Sequence, residues 1–69
     1  MKMKNSEFWI AVRRNERKQE EWYDLCSLSI KESVTRKNTQ KTDYEWGIEF
    51  ATNNPVVEIV RARIERIEP

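Results

Sequence analysis

The sequence predicts an α+β fold: a small antiparallel sheet of about three strands with one helix, in the order β-β-α-β. Three observations carry this. Phe8-Trp9-Ile10-Ala11-Val12 is a continuous run of strand formers between charged flanks, too short for a helix and apolar enough for a buried strand. Ser29-Ile30-Lys31-Glu32 has the form of a helix-capping box, with a Ser oxygen for an orphan N–H and a Glu three residues on to reach back. The segment from Val56 to Ile67 holds six β-branched residues in twelve, which favours a closing strand.

The first strand spans about 7–14, after a polar stretch at 1–6 that is expected to fray. Alternation places Phe8, Ile10 and Val12 on one face and Trp9 and Ala11 on the other. Arg13 to Glu21 is charged, lacks Gly and Pro, and reads as a hairpin connection with Asn15 as its best turn residue. The returning strand, about 21–28, alternates imperfectly: Tyr23 and Leu25 share one face, while Trp22, Cys26 and Leu28 share the other with Asp24 among them. A single Cys in a strand reads as a small core residue.

The helix is expected over about 29–52, with Ile30 and Val34 at helical spacing and a possible break near 39–43. From Thr35 to Thr42 there is no apolar residue, so only a solvent face continues there. Residues 44–50 read two ways. Tyr44, Trp46, Ile48 and Phe50 alternate with Glu45, Gly47 and Glu49 as in a strand. On a helix, Tyr44, Ile48 and Ala51 form a stripe that Trp46 and Phe50 widen. The alternative fold is therefore mostly β, with a C-terminal hairpin. Asn53-Asn54-Pro55 is a firm break. The last strand, about 56–66, turns Val60, Ala62 and Ile64 inward and Arg61, Arg63 and Glu65 outward; as a helix it would be capped by Asn54 with Pro55 at its first position.

Trp46 followed by Asn54-Pro55-Val56-Val57-Glu58-Ile59-Val60-Arg61-Ala62-Arg63-Ile64-Glu65 resembles a group of small phage- and prophage-encoded proteins of unknown function. The resemblance covers roughly the last third of the chain and, loosely, the first strand. It implies a helix through Trp46, a break at Asn-Pro and a closing strand of the form Val-x-Ile-x-Arg-x-Arg-Ile. Gly47-Ile48-Glu49-Phe50 is more strand-like than that pattern prefers. The group brings no activity, so no functional residue is carried over from it.

The 69 residues make one small domain, of a size that buries only about 60% of its unfolded surface. Hydrophobic residues are 38% of the chain and charged residues 36%, so a thin core lies under a charged surface. Three Trp, two Tyr and two Phe argue against disorder. Thirteen Lys and Arg against twelve Asp and Glu leave a net charge of +1, too little for a global pull toward nucleic acid or an anionic membrane. No apolar run approaches the length of a membrane span, and Met1-Lys2-Met3-Lys4 leads into no signal-peptide core. The lone Cys26 fits a reducing compartment, so the expected location is cytoplasmic.

Chemistry is constrained mainly by what is missing. There is no His and only one Gly, which removes the commonest general base and the phosphate-cradling loops. One Cys without His makes no zinc site of the usual type. The carboxylates are interleaved with Lys and Arg, as on a solvated surface. No catalytic residue, cofactor site or metal site is expected, and the chain reads as non-catalytic.

Two binding classes remain. A short sheet with one helix leaves a face uncovered. The sequence predicts that Trp9, Ala11 and Trp22 form the exposed patch and that the protein self-associates, as a homodimer, or binds a protein partner there. Alternatively, Arg13, Arg61 and Arg63 share a sheet face with Trp9 and contact nucleic acid, provided the first and last strands are neighbours. Glu58 and Glu65 flank the two C-terminal arginines and compete for them.

Overall fold

The computed structural model describes residues 7–65. It is an α+β fold with strands β1 (Glu7–Asn15), β2 (Glu20–Ser29) and β3 (Val56–Arg63), and helices α1 (Glu32–Trp46) and α2 (Ile48–Asn53) between β2 and β3. The sheet order is β2-β1-β3, antiparallel throughout. β1 is therefore the central strand, as its apolar run demands, and both later strands are edges. The helical reading of 44–50 holds in place of the strand reading. The expected fraying at 1–6 and the end of the last strand at position 66 lie outside the described residues; β3 itself ends at Arg63.

The hairpin closes as its residues suggest. Asn15 Oδ1 accepts the Lys18 N–H at 2.9 Å, the local bond that makes Asn a turn residue. Gln19 takes the left-handed conformation, φ 56°, and its N–H donates to the Asn15 carbonyl at 2.7 Å.

β2 carries a large irregularity. Asp24 lies opposite Ala11 and Ser29 opposite Trp9, so the four residues between them face Ile10 alone. Side chains replace the missing ladder bonds. Ser27 Oγ accepts the Ala11 N–H at 2.8 Å and donates to the Asp24 carbonyl at 2.6 Å. Asp24 Oδ1 accepts the Cys26 N–H at 3.1 Å. This bulge explains the imperfect alternation, and it overturns the core reading of Cys26: the thiol is exposed and unpaired.

Helix α1 starts later than the capping box suggests. Lys31 is the cap residue, and Ser29 Oγ accepts only the Lys31 N–H, at 3.2 Å. The Glu32 carboxylate in the first turn suits the positive end of the helix dipole and meets Arg36 one turn on at 2.9 Å. The helix breaks at Gly47, not near 39–43. Gly47 sits at φ 100°, ψ 170°, a region open essentially to Gly alone.

The segment expected to show only a solvent face is the one that packs. Thr35 and Thr39 are buried against the sheet. Thr35 Oγ1 donates to the Trp9 carbonyl at 3.2 Å, and Asn38 Nδ2 to the Ser27 carbonyl at 3.2 Å. Directly opposed residues share a sheet face. The helix-side face therefore holds Ala11 and Asp24, Trp9 and Arg61, and Arg13 and Trp22. The buried part of this face is Ala11, Arg13, Asp24 and Ser27, small or polar residues that suit a Thr-lined helix, with Trp9 and Trp22 less buried beside them.

Candidate functional site

Arg13 organises the helix side. Its side chain is fully buried, and so is nearly all of Asp24, whose Oδ2 accepts from Nε at 2.8 Å. Nη1 donates to Asp43 Oδ1 at 2.8 Å and to the Asn54 carbonyl at 2.9 Å; Nη2 donates to the Thr39 carbonyl at 3.3 Å. The guanidinium also lies over the Phe50 ring, 5.1 Å from its centroid. One side chain thus joins β2, α1, α2 and the turn before β3. Among the described residues, no buried side-chain nitrogen or oxygen lacks a partner, which a buried charge requires.

This corrects the assignment of Arg13 to a nucleic-acid surface. Every face of its guanidinium is used inside the protein. The proposed partner patch is corrected at Ala11, while Trp22 keeps an exposed edge. Ala11 has no exposed surface, because α1 covers it. Trp9 is half-buried on the same side. Trp22 packs edge-on against Phe50 at 6.4 Å between centroids and donates Nε1–H to Asn54 Oδ1 at 3.3 Å. The sequence identified a face in need of cover, but the helix covers that one and leaves the other.

The open face is the apolar one. Along β1 it carries Phe8, Ile10 and Val12, opposed by Ala62, Val60 and Glu58 on β3 and by Tyr23 on β2. Leu25 joins Tyr23, Phe8, Ile10 and Ala62 around a shallow depression of about 320 Å³, with Arg63 at its margin. Ile10 and Val12 are buried between their strand neighbours, but Tyr23 is 62% and Leu25 72% exposed. No described element lies over them. Val60 and Ala62 do share one side of the sheet with Ile10 and Phe8, as expected, yet that side has no helix, and Ile64, expected with them, lies past the end of β3 and is exposed. With Ala11, Ile10 and Val12 are the buried apolar residues among those described. A core that small is unusual, since the hydrophobic term dominates folding.

Arg61 and Arg63 do lie on the Trp9 side, because β1 and β3 are neighbours. Arg61 reaches Glu7 Oε1 at 2.7 Å, and Arg63 reaches Glu7 Oε2 at 3.6 Å. The Arg61 guanidinium lies 5.9 Å from the Trp9 ring centroid. The competing acid is thus the cross-strand Glu7, not Glu58, which pairs with Val12 on the other face. Arg13 is buried away from both arginines' solvent side, so the three do not form one cationic patch.

The residues that sequence reasoning missed are Tyr23 and Leu25 as exposed surface, and Asp24, Asp43 and Thr39 as partners of Arg13. Asp24 did carry a signal: it is a lone acid inside an apolar strand, where a cation partner is required. No group of three or more Cys, Asp or Glu side chains among the described residues is arranged to hold a metal ion, and no described helix is long and apolar enough to cross a membrane. No family model, curated protein or solved structure matches the chain.

Proposed function

We propose that this is a non-catalytic accessory protein of the phage or prophage kind, which works by binding a protein chain through the open sheet face. The observation that carries the reading is the exposed pair Tyr23 and Leu25, flanked by half-buried Phe8, Val60 and Ala62 on the sheet face that no described helix covers. An open apolar face of this extent is the kind of surface that marks protein association. The free Cys26 thiol suits a reducing compartment, and the reading places the protein in the cytoplasm.

Nucleic-acid binding through Arg61 and Arg63 is the weaker reading. It keeps the Arg61–Trp9 contact in its favour, but Glu7 lies beside both arginines and Arg13 is fully buried. A photoreactive amino acid at Leu25 tests the leading reading in producing cells. The reading expects a discrete protein adduct from Leu25 and none from Glu49 on α2. Absence of any adduct from both Leu25 and Tyr23 would overturn it.

A further inference from the structure

We infer that α1 and α2 form a strap that lifts from the sheet as one unit, before the strands separate. The inference concerns the helix side and does not depend on what covers the open face.

The contact between helices and sheet is the first ground. Thr35 and Thr39 are the buried residues of α1, and α2 has none. Asn38, Thr42, Asp43, Phe50, Ala51 and Asn53 are half-buried, and of these Phe50 and Ala51 alone are apolar. Val34, Tyr44 and Trp46, the large apolar residues of α1, are all exposed. A helix of 15 residues is marginal in water on its own and takes its stability from a packed apolar face. α1 turns no such face to the sheet.

The second ground is what lifting uncovers. Of the buried apolar residues described, Ile10, Ala11 and Val12, Ala11 is the one under α1. Ile10 and Val12 face the other way and keep their strand neighbours when the helices leave. Phe50 leaves the edge of Trp22, but no large buried apolar side chain is exposed. A segment with so little apolar burial opens at low free energy.

Charge is the third. Arg13 is paired to Asp24 on β2, within the sheet, and that pair survives lifting. The contacts given up are those to Asp43 and to the Thr39 carbonyl. Opening lets water reach both the guanidinium and the Asp43 carboxylate, which recovers the desolvation cost carried by the closed form. Deleting a partner in the closed form is dearer, because the charge left behind stays dry. The far end of the strap is its pivot. The Asn53 carbonyl accepts the Glu16 N–H at 2.8 Å and the Pro55 carbonyl accepts the Arg14 N–H at 3.0 Å, so the turn before β3 stays with the end of β1.

Native-state hydrogen exchange of the whole chain, read by NMR across sub-denaturing urea, tests this. The expected result is that the amides inside α1 and the Ala51 amide of α2 share one opening equilibrium. That opening is at least about tenfold more frequent than the one exposing the Ile10–Val12 amides, and less dependent on urea. Val60→Ala, on the other face of the sheet, speeds exchange of the β1 amides by about tenfold and leaves the helix amides unchanged, because the lifted form keeps the Val60 contacts. Asp43→Asn speeds both sets by the same factor, because its contact to Arg13 is lost in either opening. One opening constant and one urea dependence for helices and β1 together overturn the inference, and so does a Val60→Ala effect of equal size on both sets. If Val60→Ala does not fold, the urea dependences of the unaltered chain decide.

Discussion

Arg13 and Asp24 form a buried ion pair, Nε to Oδ2 at 2.8 Å, in the place where most small domains put a hydrophobic cluster. The pair lies between the central strand and the helix. Asp43, the Thr39 carbonyl and the Asn54 carbonyl accept further guanidinium N–H groups. Removing one partner leaves a buried charge without its counterion, which costs about 3–5 kcal/mol. That is a large part of the total stability of a small domain.

Arg13→Met and Asp24→Asn should therefore each destabilise the protein strongly in urea titrations. The double variant should lose less than the sum of the two, with a coupling of about 2 kcal/mol or more. Additive losses would mean that the pair is not coupled. Arg13→Lys should also be costly, by about 2 kcal/mol, because an ammonium cannot serve Asp24, Asp43 and two carbonyls in one plane.

Gly47 gives a backbone prediction. A Cβ there would meet no atom within 4 Å, so any cost of Gly47→Ala comes from φ 100° alone. The expected loss is about 1–3 kcal/mol. The mirror-image residue, D-alanine, introduced by chemical synthesis, should be tolerated or mildly stabilising, because the same dihedrals are ordinary for it. Equal losses for both enantiomers would place the cause outside the backbone.

Cys26 should react with a thiol reagent in the folded protein at nearly the rate found in denaturant, since the bulge leaves it exposed. Strong protection would contradict the β2 geometry. Reactivity here reports access to solvent and implies no redox role.

For nucleic acid, no salt-dependent mobility shift is expected with DNA or RNA at low ionic strength, because Arg13 is enclosed and the Glu7 carboxylate beside Arg61 and Arg63 offsets part of their charge. A shift that Arg61→Ala abolishes would restore the competing reading.

The strands were legible because β-branched and aromatic runs bounded by charges leave few alternatives. The order β2-β1-β3 is left open by the sequence, which offers the adjacency of the first and last strands only as a condition, although it fits the apolar run Phe8–Val12. The helix through Trp46 came from the resemblance, not from periodicity, which left residues 44–50 balanced between two readings. The choice of covered face was not legible. Apolar patterning favours burying Phe8, Ile10 and Val12 and says nothing of which side a helix will take. The deciding residues are polar: Thr39 and Asp43 meet Arg13, Asn38 meets Ser27, and Thr35 meets the Trp9 carbonyl across the interface. Their pairing is long-range, and a hydropathy pattern treats each of them as surface. The candidate site moved for the same reason, from Trp9, Ala11 and Trp22 to the opposite side of the same sheet.

The most direct test of the open face is photo-crosslinking from Tyr23 and Leu25, the two large side chains it exposes, compared with Tyr44 and Ile48 on the helices. The account predicts a discrete protein adduct from Tyr23 and Leu25 and none from Tyr44 or Ile48. Adducts confined to Tyr44 and Ile48, or none from Tyr23 and Leu25, would contradict it.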